Sequence, residues 1–335
     1  MTGMIQGLND RQREAVEYLD GPLFVFAGPG TGKTRVTTRK LAYLVKEKGF
    51  RAAEVLALTF STKATREMEE RARELLPGVP GVRIKTFHSF CNEVVAENAL
   101  ELGVNAGGPV FTEEHQEAYF LAHLDGFGFE HIPVPASPTD LAVLLKDVIG
   151  RLKQENIGVP RLESYISKKE KALKDSAPAE KAPKGRRRTP EQRRHDEELE
   201  ALLNLKDIAR AYKAYEAFKG RRGLLDFGDM QMLALRLFEE RPAVLERYRE
   251  RIRYLIVDEF QDTDFIQLRI IFALAAEGNV TVVGDDDQSI YRFRGAYLTN
   301  MQEFDEHYRK AGKAPRTITL DLNYRCTGNI QTAAS

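Results

Sequence analysis

Tryptophan is absent from this chain of 335 residues, and cysteine occurs only twice, at Cys91 and Cys326. Neither thiol belongs to a C-x-x-C pair, so a disulfide framework and a cysteine-based zinc or iron-sulfur centre are not expected, and a reducing compartment fits best. The six histidines are dispersed; His115, His123 and His131, spaced by eight, form no tight ligand set on a helix or a strand. No apolar run approaches the ~20 residues needed to cross a bilayer, and the start of the chain is too polar for a signal peptide, so a soluble intracellular protein is expected. An excess of one charge is missing too. The 50 Lys and Arg balance 50 Asp and Glu, so bulk charge singles out no polyanionic partner. What is present is globular: 42% apolar and 30% charged residues, with 18 Phe and 12 Tyr. The length, about twice that of a common single domain, predicts two compact units or one unit carrying a large insertion.

Short apolar, β-branched runs alternate with helical patterns near both ends of the chain. The predicted strands are Leu23 to Phe26, Val55 to Thr59, Val82 to Thr86, Tyr254 to Val257, Val280 to Val283 and Thr317 to Leu320. Strands alternating with helices imply an α/β fold with a parallel sheet. Between about Leu100 and Arg222 the strand signal gives way to helical periodicity, which reads as an all-α insertion. Within it, a stretch at about 172–198 is rich in Lys, Arg, Pro and Ala and predicts a mobile loop. Residues 151–222 hold 20 Lys and Arg against 12 Asp and Glu, so the zero net charge hides a local excess of +8. Such an excess fits a solvated helical face as well as a nucleic-acid surface.

The first predicted strand runs into Ala27, Gly28, Pro29, Gly30, Thr31, Gly32, Lys33 and Thr34, and a helical pattern follows. Strand, glycine loop and helix arrive in the order that a phosphate-binding loop requires. The glycines let backbone N–H groups close around a phosphate, and the helix N-terminus adds a partial positive charge. Lys33 would reach the β- and γ-phosphates and the Thr34 hydroxyl would ligate Mg²⁺. Ala27 stands where the strict pattern has its first glycine. The partner carboxylates are read at Asp258 and Glu259, which end the run Arg253-Tyr254-Leu255-Ile256-Val257. Asp258 is placed to hold Mg²⁺ and Glu259 to orient and deprotonate the attacking water. Adenine-nucleotide hydrolysis leads, although loops of this type also serve kinases, GTPases and transporters. After Val280 to Val283, the segment Gly284 to Gly295 brings Gln288, suited to sensing a γ-phosphate, together with Tyr291, Phe293 and Arg294, suited to bases and phosphates.

Several ordered motifs together resemble the UvrD, Rep and PcrA group of superfamily 1A DNA helicases. LNDRQREAV resembles the Q motif, AGPGTGKTR motif I, LTFSTKATREM motif Ia and IKTFHSFC motif Ib. LLDFGDM resembles the short motif that precedes motif II, IVDEFQDTD motif II, VVGDDDQSIYRFRGA motif III and LNYRCTGNI motif IV. The resemblance implies a RecA-like P-loop NTPase domain with a parallel sheet, interrupted by an all-α insertion subdomain. Its first part would span 1–100, the insertion 101–222, its second part 223–322, and 323–335 would be a hinge toward a second RecA-like domain carrying motifs V and VI. The chain would then be the N-terminal half of an ATP-dependent helicase or translocase that uses ATP and Mg²⁺.

By the same resemblance, Gln12 reads the adenine edge, although Asn9-x-x-Gln12 is also a helix capping pattern. Arg35 is a further nucleotide contact, Tyr324 stacks on adenine, and Arg325 reaches the γ-phosphate as an arginine finger. Lys33, Glu259, Gln288 and Arg325 form the catalytic set. Phe60, Thr62, Lys63, Phe87, His88, Asp226, Phe227, Tyr291, Phe293 and Arg294 fall in segments that meet DNA. Thr62 replaces the usual asparagine, Phe293 the usual tryptophan, and Phe60 and Phe87 also suit core packing at strand ends. The implied partners are single-stranded DNA and its junctions with duplex, with 3′ to 5′ movement in repair or replication. A cytoplasmic, nucleoid-associated monomer is expected, with little or no unwinding from this half alone. Two other readings stay open: the motor half of a RecB/AddA-like helicase-nuclease, and a non-catalytic ATP-gated DNA-binding module.

Overall fold

A computed structural model describes residues 3–105, 108–132, 137–176, 189–285 and 300–325. Six strands form one parallel sheet: β1 (Leu23–Ala27), β2 (Val55–Thr59), β3 (Arg83–Thr86), β4 (Tyr254–Val257), β5 (Val280–Gly284) and β6 (Arg316–Leu320). All six predicted strands are present within a residue or so of their expected bounds. Their order across the sheet is β3-β2-β4-β5-β1-β6. β2, β4 and β5 are buried along their whole length and β1 nearly so, which is why their sequences are predominantly apolar rather than alternating.

The helices of this unit are α1 (Asp10–Glu17), α2 (Lys33–Lys46), α3 (Thr62–Leu75) and α4 (Phe87–Glu97). The helical insertion contributes α5 (Ala99–Leu102), α6 (Glu113–His123), α7 (Pro138–Gln154), α8 (Val159–Asp175) and α9 (Pro190–Arg222). The chain then runs through α10 (Phe227–Glu240), α11 (Pro242–Arg251), α12 (Phe265–Leu274) and α13 (Asn300–Lys310). Two compact units result: an α/β unit of Met1–Asn98 with Met230–Ser335, and a helical unit of Ala99–Asp229.

In the α/β unit, Val36 and Tyr43 of α2 pack with Leu23 and Val25 of β1, while Leu41 and Leu44 pack with Val55 and Ala57 of β2. Each buried aliphatic chain of this kind contributes ~1.5–3 kcal/mol. Lys40, on the same helix, is fully buried; its ammonium donates to the carbonyl oxygens of Ala15 (3.0 Å) and Tyr18, which close the C-terminus of α1. Burial pushes its pKa down to about 7.

The helical unit has its own core, in which Tyr119 and Phe120 of α6 meet Tyr212 and Tyr215 of α9. Two expectations change here. Residues 190–198 belong to α9, with Thr189 as its N-cap, rather than to a mobile loop, and 172–175 belong to α8; residues 177–188 lie outside the described residues. A capping box between Thr189 and Gln192 starts α9, and Glu198 accepts ion pairs from Lys169 and Arg194, so charge pairing replaces the missing apolar face. The chain also leaves the helical unit at 229 rather than 222, because Leu225 accepts a hydrogen bond from Phe111 N and Asp226 is buried among lysines of the same unit.

Candidate nucleotide site and single-strand loops

The loop between β1 and α2 reverses the chain at Gly30 (φ +76°) and Gly32 (φ +95°), backbone conformations that side chains resist. Space forbids side chains as well. A Cβ on Gly30 would lie 2.6 Å from the Cβ of Arg325, and one on Gly32 would lie 2.8 Å from Gln12 Nε2. Within the loop, Thr31 Oγ1 donates to Gly28 O (2.8 Å). Gly32 caps α2 with no side-chain acceptor and no acid follows in the first turn, so the positive end of the helix is uncompensated.

Lys33 opens α2, and its ammonium sits 2.9 Å from Glu259 Oε2, with side-chain exposures of 11% and 33%. Glu259 holds a left-handed backbone (φ +50°), uncommon outside glycine and a mark of a constrained, functional turn. Its Oε2 also accepts from Gln261 Nε2 (2.8 Å), while Gln261 Oε1 accepts from the Asp285 amide at the end of β5 (3.0 Å). A Cβ on Gly284 would meet Gln261 Oε1 at 2.8 Å, so the glycine makes room for this bridge. Gln261 therefore joins the ends of β4 and β5. Sequence reasoning passed over it; the available signal was a polar residue two positions after the second acid.

Asp258 lies buried at the end of β4, its backbone amide donating to Leu58 O (2.9 Å). Its Oδ1 has no hydrogen-bond partner. Burial first and the neighbouring Glu259 second raise its pKa to about 7. Asp262 is likewise raised to about 6, by burial and then Glu259. A buried carboxylate oxygen with no donor fits a cation, and Asp258 with Thr34 is a hard-oxygen donor set suited to Mg²⁺. Among the described residues, the one carboxylate cluster with ligand spacing elsewhere, Glu216 with Asp226 and Asp229, is already paired by Lys153 and Lys219.

Gln12 takes the capping role that its pattern also allowed. It completes the capping box with Asn9 and donates from Nε2 to Thr31 O (2.9 Å), fully buried behind the loop. Arg35 donates to Gly7 O (2.8 Å) on the segment before α1. Residues 323–325 close on the loop from the other side: Asn323 Nδ2 donates to Pro29 O (2.7 Å), Tyr324 N to Gly30 O (2.8 Å), and the Tyr324 hydroxyl accepts from Asn9 Nδ2 (2.7 Å). Tyr324 keeps an exposed ring (58%) and Arg325 an exposed position beside Gly30.

The expected single-strand residues divide. Thr62 and Lys63 are exposed at the start of α3, and Phe60 is half-buried just before it. Phe87 is buried at the start of α4, so the core-packing alternative describes it and its ring offers no stacking face. His88 is half-buried and shares a hydrogen bond with Gln231 (3.0 Å).

Asp226 departs furthest from its expected contact with DNA. It is buried in the helical unit, bound by Lys153 (2.7 Å), Lys219 (2.9 Å) and the Tyr215 hydroxyl (2.7 Å). Burial would raise its pKa, but the two ammonium groups override this and hold it far below the usual carboxylate range. Phe227 of the same unit is partly exposed (38%). Gln288, Tyr291, Phe293 and Arg294 lie outside the described residues.

A family model described as the UvrD/REP helicase N-terminal domain matches residues 8–309. Two curated proteins, both named ATP-dependent DNA helicase PcrA, are 35% identical over 343 aligned positions: one from Staphylococcus epidermidis (strain ATCC 12228), the other from Staphylococcus aureus (strain COL). In each case all of this chain is covered and 40% of the relative, so the chain spans about two-fifths of the length of these relatives. No described helix is long and apolar enough to cross a membrane.

Proposed function

Because the chain belongs to the UvrD/REP helicase N-terminal domain family, we propose that it forms the ATP- and single-strand-binding part of an ATP-dependent DNA helicase or translocase. The observation that carries this reading is the Lys33–Glu259 ion pair, which sets the phosphate-loop lysine against the would-be general base beside Asp258, whose buried Oδ1 has no hydrogen-bond partner. On nucleotide entry the loop amides cradle the phosphates and Lys33 trades Glu259 for phosphate oxygens. Glu259 is thereby freed to orient and deprotonate the attacking water, with Gln261 holding it by hydrogen bond. Thr34 and Asp258 would hold Mg²⁺, which when bound neutralises charge on the transferring phosphoryl group. Gln12, Arg35 and Tyr324 would place the adenine, and Arg325 would supply a cation at the γ-phosphate, with Gln288 sensing it.

In a protein of the relatives' length, a second RecA-like domain would stabilise developing charge from the opposite side, and an arginine finger supplied from there contributes ~10³–10⁵ in rate. Phe60, Thr62, Lys63 and His88 would line the strand, with Tyr291, Phe293 and Arg294 continuing the track. Movement from 3′ to 5′ in DNA repair or replication, in the cytoplasm at the nucleoid and as a monomer, completes the reading.

The test is binding of a fluorescent ATP analogue and of fluorescein-labelled oligo-dT to the chain and to Lys33→Ala. The variant should lose nucleotide affinity at least tenfold and keep strand affinity. Unchanged nucleotide affinity would remove the phosphate-loop assignment, and strong DNA stimulation of ATP hydrolysis by this chain alone would remove the need for a second domain.

A further inference from the structure

Beside the start of α3 lies a cavity of about 600 Å³, bounded by α3, β3 and the first turns of α4. β3 is the last strand of the sheet, and its residues alternate: Ile84 and Thr86 are buried, while Arg83 and Lys85 face the other way, half-buried. A single carboxylate serves both cations. Arg83 Nη2 meets Glu93 Oε1 at 2.7 Å, and Lys85 Nζ meets Glu93 Oε2. Arg66 adds a third cation to the wall and Glu69 a second carboxylate, and the hydroxyl residues Thr62, Thr65, Thr86 and Ser89 complete the polar lining. The N-termini of α3 and α4, at Thr62 and Phe87, flank the same space and bias it further toward an anion.

We propose that this cavity takes a phosphodiester of the bound single strand, and that Glu93 is the group which the phosphate displaces from Arg83 and Lys85. The inference rests on the single-strand reading above and extends it to Arg83 and Glu93, which lie outside the motifs that carried it. Three cations, four hydroxyl residues and two helix N-termini suit phosphate oxygens; an extended peptide adding to the β3 edge would instead need apolar pockets for alternate side chains. Glu93 gives the arrangement a purpose that two bare cations lack. With no strand bound it pairs with both half-buried cations and offsets one of their two charges, and with a strand bound it competes for them. One anion thus replaces another, so exchange runs near balance, which suits a protein that must release each phosphate as readily as it takes it.

The experiment measures oligo-dT binding by anisotropy across a salt series, without nucleotide, for the wild-type chain and Glu93→Gln. With the competitor removed, affinity at low salt should rise ~3–30-fold, and the slope of log K against log salt should steepen by about 0.7–1.4, the value for one to two phosphates on a single strand. Adding Arg83→Gln and Lys85→Gln to Glu93→Gln should return the slope to the wild-type value or below. If Glu93→Gln fails to fold by circular dichroism, Glu93→Asp, too short to span both cations, should shift binding in the same direction by a smaller factor. Wild-type binding with an unchanged slope in a folded Glu93 variant overturns the cavity proposal and leaves the function standing. A wild-type chain that does not bind oligo-dT overturns both.

Discussion

Replacing Glu259 with glutamine keeps the length of the side chain and its acceptor oxygen but removes the charge that holds Lys33. The two groups are 2.9 Å apart and only partly exposed. At an effective dielectric near 20 their gross attraction is ~6 kcal/mol, and desolvation together with solvent screening of the third-exposed Glu259 leaves ~0.5–1.5 kcal/mol net. Nucleotide phosphates must overcome that net term to capture Lys33. Glu259→Gln should therefore tighten ATP binding by ~2–10-fold, read by titration of a fluorescent analogue. Hydrolysis should move the opposite way, falling ~10²–10⁴-fold in phosphate release, because the amide cannot take a proton from water. Opposed changes are the signature. If affinity and turnover fall together in a protein of unchanged melting temperature, Lys33 and Glu259 do not exchange partners during the cycle and the proposed sequence of events is wrong.

Gly30→Ala should cost ~1–3 kcal/mol of strain and loosen residues 323–325, because the new Cβ meets Arg325 at 2.6 Å on a left-handed backbone; weaker ATP binding with slow hydrolysis otherwise intact would report it, and unchanged affinity would refute the packing argument. The buried Lys40 ammonium, lowered from 10.5 to about 7, binds fewer protons folded than unfolded between those values, so stability should rise with pH across that window. Urea unfolding should show a gain approaching ~2–3 kcal/mol from about pH 8 to about pH 10, and Lys40→Met, which keeps the volume and loses the titration, should abolish that part of the rise. Asp226→Asn should destabilise the helical unit by ~3–5 kcal/mol by leaving Lys153 and Lys219 short of a buried partner; protease resistance of that unit equal to wild type would show the cluster to be dispensable.

The α/β fold was legible because its signals are local. Buried parallel strands require predominantly apolar runs, and the glycines at 30 and 32 mark a backbone that few other residues adopt. The start of α9 was missed because Thr189 to Glu200 has no apolar face; its stability comes from a capping box and from Lys169 on another helix, a partner 29 residues away in the chain. Phe87 and Asp226 were read from their motif positions, and both are buried, the first in the α/β core and the second among lysines. Motif position says which segment a residue belongs to, whereas burial depends on what packs over it.

Strand and helix order, the glycine loop before α2, the paired acids after β4 and the family itself all follow from the chain read alone, since each rests on backbone chemistry within a few neighbouring residues. Only the tertiary structure decided that Lys33 rests on Glu259 across 226 positions, that Gln261 links two strand ends, and that Glu93 serves two cations of the edge strand. Those pairings depend on distance and dielectric after folding, and no local pattern encodes either.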